Sequence, residues 1–206
     1  MIFSATTSRA EEQVILDYQD PQFRMAMPGS NAAERRHIAM ALRSVATEEV
    51  KALGNDFVIL GGAEGKLFGA GEVDFHLISS EEPVAIEPFV DRPGQVILAL
   101  KNEQAAGSFH LPEELQFTRV VGAVDIDGDG ASEVLLEANT MNMGELHTAV
   151  YAIRLEGEMK ASVAQMLSGA FVDTCDTPHG ERSRIAMSIS LEGGELKGTP
   201  HEESCG

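Results

Sequence analysis

From Ile185 to Leu191 hydrophobic and polar residues alternate strictly: Ile185, Met187, Ile189 and Leu191 stand against Ala186, Ser188 and Ser190. Successive side chains of a strand point to opposite faces, so this spacing predicts a half-buried strand. A longer period governs the region after residue 31, where Ile38, Leu42, Val45 and Leu53 recur at spacings of three, four and eight. Arg35, Arg36, Arg43, Glu48 and Glu49 fall mostly off that stripe. The pattern predicts one amphipathic helix, entered from the turn Pro28-Gly29-Ser30-Asn31, broken near Thr47 and ended by Gly54-Asn55. It is the one convincing helix in the pattern.

The remaining segments read as strands. Residues 14–18 form a short one, ended by Asp20-Pro21. Residues 57–60 and 66–69 are expected to flank a tight turn in the glycine-rich run 61–65, with further strands at 72–79 and 96–100. Prolines at 83, 88, 93 and 112 cut the middle of the chain into short pieces. Residues 117–124 and 134–136 are strands on either side of an aspartate-rich loop, and 148–155 and 159–166 form a hairpin around Glu156-Gly157-Glu158. The expected fold class is α+β and β-rich: one N-terminal helix, then antiparallel β meanders. The change from mixed α/β to meander divides the chain into 1–110 and 111–206, a boundary that a long loop within one domain explains equally well.

A chain of 206 residues with 43% hydrophobic positions has the composition of a globular protein. No apolar run approaches the roughly 18 residues of a membrane span. The balance of 33 acidic to 15 basic residues, a formal net charge of -18, repels phosphate backbones and argues against nucleic-acid binding. It suits divalent cations or basic partners, and it also serves simply to keep the chain in solution.

The most informative motif is Asp125-Ile126-Asp127-Gly128-Asp129-Gly130. Calcium takes six to eight oxygen ligands, and a short loop supplies them when carboxylates recur at every second residue while the backbone curls round the ion. Asp125, Asp127 and Asp129 have that spacing, and Gly128 and Gly130 accept backbone angles that other residues resist. The carbonyl of Ala131 falls at the seventh loop position and Glu133 at the ninth. A helix-loop-helix calcium site requires glutamate at position twelve, where this chain has Leu136. The preceding Val120-Val121-Gly122-Ala123-Val124 suits a strand better than an entering helix, although the exiting 133–138 has helical propensity. A loop of that helical type, as in a cytosolic calcium sensor, is the alternative, and a plain Asp-Gly turn is another.

The stretch 123–136, followed by the hairpin of 149–158, resembles the FG-GAP or VCBS-type repeat, the propeller-blade unit of integrin-like and many bacterial secreted proteins. The resemblance covers about 117–166, roughly one blade, and no second Asp-x-Asp-x-Asp motif accompanies it. It implies that Asp125, Asp127, Asp129 and Glu133 coordinate Ca2+ in a loop between two strands. Aspartate is usual at the last of these positions, so Glu133 departs from the pattern.

Two cysteines, Cys175 and Cys205, lie in polar turn-forming contexts, as a tail-fastening disulfide would; two unrelated thiols are the alternative. The opening residues 1–9 lack the basic start and apolar stretch of a signal peptide. A disulfide and a calcium loop nevertheless point to a periplasmic or secreted setting, from which an export signal has been removed. Catalytic signatures are absent. Gly61-Gly62-Ala63-Glu64-Gly65-Lys66 misses a phosphate loop because Leu60 holds the first glycine position and Leu67 follows the lysine. The six histidines show no metal spacing; His147 and His179 are the two to follow. The expectation is a non-catalytic calcium-stabilised protein that presents a binding surface to a protein or glycan. A hydrolase, or its accessory domain, with a calcium-stabilised site is the competing class.

Overall fold

The computed structural model describes residues 13–27, 29–45, 47–85, 92–178 and 180–205. Residues 1–9, Pro28, Pro88 and His179 therefore lie outside the described residues. The chain is β-rich α+β. Strand β1 (Val14–Asp17) is followed by three helices, α1 (Pro21–Met25), α2 (Ala32–Ser44) and α3 (Glu48–Ala52). Ten strands come next: β2 (Val58–Leu67), β3 (Gly71–Ser79), β4 (Gln95–Lys101), β5 (Gln104–His110), β6 (Arg119–Val124), β7 (Glu133–Asn142), β8 (Glu145–Glu156), β9 (Lys160–Asp173), β10 (Arg184–Glu192) and β11 (Glu195–Glu203).

The helical region divides where its capping residues dictate. Asn31 caps α2 through its side chain, accepting from Ala33 and Glu34 N–H, while Glu34 reaches back to the Asn31 N–H. Thr47 then accepts from the Val50 N–H and opens α3 as a separate turn. Reciprocal caps of this kind satisfy N–H groups that a helix start leaves unpaired. The short α1, capped by Asp20 with Pro21 in its first turn, was hidden from a periodicity argument by its length.

Hydrogen-bonded neighbours run β2-β3-β4-β5-β9-β8-β7-β6, and β10 joins β9 to β1 and β11. Among the described residues all pairings are antiparallel except the single β5–β9 contact, His110 with Lys160. The ends of the path meet, because the Ser132 N–H donates to the Lys66 carbonyl at 2.8 Å and the Lys66 N–H donates to Ser132 Oγ at 3.0 Å. Enclosed between the strands is a core of Phe75, Leu77, Ile97, Ala99, Phe109, Phe117, Val134, Leu136 and Ile153. Two further cores lie outside it. Ile38, Leu42, Val50 and Leu53 of the helical region pack on Ile59, Ile78, Val96 and Leu98, while Leu16 and Tyr18 meet Leu135, Val150, Ala170, Ile189 and Leu196.

This layering explains the apolar runs. In β4, Ile97 and Ala99 enter the inner core while Val96, Leu98 and Leu100 enter the helical one. In β7, Val134 and Leu136 face inward and Leu135 outward. A strand covered on both faces loses its polar alternate positions.

One expectation is corrected. Residues 61–65 do not reverse the chain: β2 runs through them in register with β3, with an irregularity between Ile59 and Gly62, and the reversal falls at 68–70. The glycines permit close approach instead. A Cβ on Gly62 would lie 2.7 Å from the Phe75 carbonyl and 2.9 Å from His76 Nδ1, and one on Gly65 would meet Ala123 and Ser132 of the β6 side. Strands β5 and β11 also escaped the sequence reading. The former is built from Gln104-Ala105-Ala106-Gly107-Ser108, and the latter carries Gly198, Pro200 and charges, the composition of a guarded edge.

His76 is packed beneath α2, and burial pushes its imidazole below the ordinary histidine pKa, against the opposite pull of Glu34 and Asp74. Its folded pKa is thus lower than its unfolded value. The associated stability is complete above about pH 6.5 and is lost as pH falls from there through the folded pKa. Thermal melts of His76→Gln should consequently vary less between roughly pH 7.5 and 5.5 than those of the unaltered protein. Identical slopes for the two would show that His76 makes no such contribution.

Candidate metal centre

The aspartate loop joins β6 to β7, which pair antiparallel from Arg119–Glu137 to Val124–Glu133. Neither flank is helical, so the helix-loop-helix arrangement weighed from the sequence has no counterpart here. Within the loop each aspartate is oriented by backbone N–H groups. Asp125 accepts from Gly128 at 2.8 Å and from Gly130 at 2.9 Å on its two oxygens; Asp127 accepts from Asp129 at 3.1 Å, and Asp129 from Ala131 at 2.8 Å. Positive φ at Gly128 (76°) and Gly130 (90°) lets the backbone curl so that these bonds form.

The result is that one carboxylate oxygen from each of Asp125, Asp127 and Asp129 lies within 4.8 Å of the others. Like charges at such separations repel by about 1 kcal/mol per pair even at water's dielectric constant. The donor set is entirely hard oxygen, which fits a group-two cation far better than a soft metal.

Ala131, half-buried, contributes its N–H to Asp129. Glu133 occupies a different position from the three aspartates. It is buried, with 3% exposure, and both its oxygens are engaged: Oε2 accepts from the Ile126 N–H at 3.0 Å and Oε1 from Arg154 Nε at 3.0 Å. Arg154 also bonds Asp127 Oδ2 through its second nitrogen. The hydrogen bond to Glu133, with the charges of Glu133, Asp127 and Asp129, raises the Arg154 pKa above its usual value. Glu133 thus braces the loop from beneath, and Arg154 ties brace and rim together.

Arg154 was not singled out in the sequence. Register is the signal that finds it: Val134 pairs with Ile153, which sets Arg154 across from Glu133. The loop is held below as well, because Ile126 is buried in the outer core with Leu135 and Leu196.

Elsewhere, Cys175 and Cys205 are joined in a disulfide with Cα atoms 5.6 Å apart. His147 is half exposed and stands 3.5 Å from Glu145 on its own strand. No described helix is long and apolar enough to cross a membrane. No protein-family model matches the chain, and neither does any curated protein or solved structure.

Proposed function

We propose that the chain is a non-catalytic, calcium-stabilised β-rich protein in which the ion is structural. Asp125, Asp127 and Asp129 would hold it, with the Ala131 carbonyl and Glu133 as further candidates, and it would fix the β6–β7 connection beside a surface that takes a protein or glycan. The observation that carries this reading is the convergence of three aspartates already aimed by the backbone of their own loop. The antiparallel succession β6, β7, β8, β9, with the loop at its first connection, supports the likeness to a single FG-GAP or VCBS-type blade. An extracytoplasmic setting, periplasmic or secreted, goes with the same reading, since disulfides persist in oxidising compartments.

Melting in calcium and in chelator tests it. A ligand at about a hundred times its Kd adds about 2.7 kcal/mol, so calcium at that excess should raise the melting temperature by roughly 5–11 °C in a chain of this size. Asp127→Ala should abolish the difference. Equal melting of the unaltered protein in the two conditions would end the calcium reading.

A further inference from the structure

Strand β9 pairs with β8 along most of its length, but its other side is bare over a long stretch. On that side, among the described residues, it meets β10 only at 171–173 and β5 only at Lys160. Residues 161–170 therefore have a strand neighbour on one side alone. Proteins blunt such edges with charge or proline, and β11 does so with Glu195, Lys197, Pro200 and Glu202. β9 does not: 161–172 is the longest run in the whole chain without Asp, Glu, Lys or Arg. Val163 and Met166, paired with Ile153 and Tyr151, stand on one face of the sheet and are 40% and 56% exposed. Shifts of register bend the strand on either side of 165–167, which pair regularly with β8.

We propose that a second copy of the chain covers this edge, β9 pairing antiparallel with β9 across a two-fold axis at Met166. Charge selects the occupant. At a net charge of -18, two copies that meet through their charged faces set acid against acid. The uncharged run is exempt from that repulsion, and it offers a basic partner no carboxylate between Lys160 and Asp173. An antiparallel pair of identical strands is self-complementary, so one edge supplies both halves of the contact. Met166 then lies against its own copy, and a flexible thioether adapts to such a contact better than a branched side chain.

Sedimentation equilibrium of the full chain, with chelator present so that the calcium reading plays no part, tests the proposal. The expected result is a reversible monomer–dimer equilibrium that tightens as salt screens the acidic surfaces. Met166→Lys should weaken it about tenfold, because two ammonium groups then face each other across the axis. The same substitution makes the chain less acidic, so a dimer governed by net charge alone would tighten instead. Met143→Lys, an equal change of charge at the exposed tip between β7 and β8, should leave the equilibrium unaltered. Met166→Cys should cross-link two copies under oxidant, since the chain's two native cysteines are already joined to each other. A monomer at all concentrations up to about 500 µM would overturn the proposal, that range covering even weak interfaces. So would a dimer that Met166→Lys leaves intact, or one that Met166→Cys does not cross-link.

Discussion

Glu137→Ala is expected to lower the stability of the fold by about 3–5 kcal/mol, the cost of leaving a buried charge without its partner. Arg119 on β6 and Glu137 on β7 face each other across the pair of strands that carries the aspartate loop, and both side chains are less than a tenth exposed. Arg119 Nε and Nη2 donate to Glu137 Oε2 at 2.9 and 2.7 Å, and Tyr18 Oη donates to the same oxygen at 2.9 Å. Asn139 satisfies the other oxygen at 3.0 Å. The remaining Arg119 nitrogen donates to the Phe23 and Ala26 carbonyls, which fastens α1 and its exit to the sheet. Burial, with Glu137 next to it, pushes the Tyr18 phenol far above its ordinary pKa, so it remains a donor throughout the accessible pH range.

Removing Glu137 takes the carboxylate from the buried guanidinium and the acceptor from the Tyr18 hydroxyl. In a domain of this size the loss should lower the melting temperature by about 6–20 °C. Calcium should raise the variant and the unaltered protein alike and leave the gap between them unchanged, because the damage lies at the far end of the strand pair from the loop. The combined Arg119→Met, Glu137→Met and Tyr18→Phe variant should recover much of the loss, since apolar replacement of a whole buried polar cluster is often nearly neutral. A single Glu137→Ala variant that melts like the unaltered protein would show that the cluster contributes nothing net.

That cluster also shows where sequence reading stopped. Local patterns were readable: the Asn31 cap, the break at Thr47 and the spacing of the three aspartates are each settled within a few residues, whereas the alternation from Ile185 located strand β10 but not its buried positions, which include Ala186 and Ser190. Tyr18 and Glu137 are 119 positions apart, and nothing near either announces the other. The same holds for His76 and Glu34, which meet only because α2 lies over β3. The glycine run 61–65 misled for a related reason. Glycine marks a turn when the chain reverses, but it also marks a strand against which another side chain or strand presses, and only the tertiary neighbours His76, Ala123 and Ser132 distinguish the two. Glu133 read as a ligand from its loop position and from the resemblance to a calcium-binding repeat; its bond to Arg154 depends on a neighbouring strand.

Reduction of the Cys175–Cys205 disulfide is expected to have the second large effect, and to reach the aspartate loop. The bond closes a loop of sequence separation 30, for which loop-closure entropy amounts to about 3–4 kcal/mol. Within that loop lie β10 and β11, and among the described residues β11 pairs with β10 alone. Its distal end is otherwise held by Arg24, which donates to both Glu203 oxygens at 2.9 and 3.4 Å and lies over the Phe171 ring. Its proximal end is packed under the aspartate loop. Leu196 shares a core with Ile126, and the Ile126 carbonyl stands 3.6 Å from the place a Cβ on Gly194 would occupy. Gln165 pins this corner by donating to the Gly194 carbonyl and accepting from the Leu196 N–H. Freeing the tail therefore loosens the floor on which the loop rests. Reductant, or Cys175→Ser with Cys205→Ser, should lower the melting temperature by roughly 6–16 °C and open Lys197 to trypsin. On the calcium reading it should also weaken calcium binding, because part of the binding energy would then be spent ordering Ile126 and its neighbours. Unchanged calcium affinity alongside a lowered melting temperature would mean that the Gln165 corner holds the loop unaided.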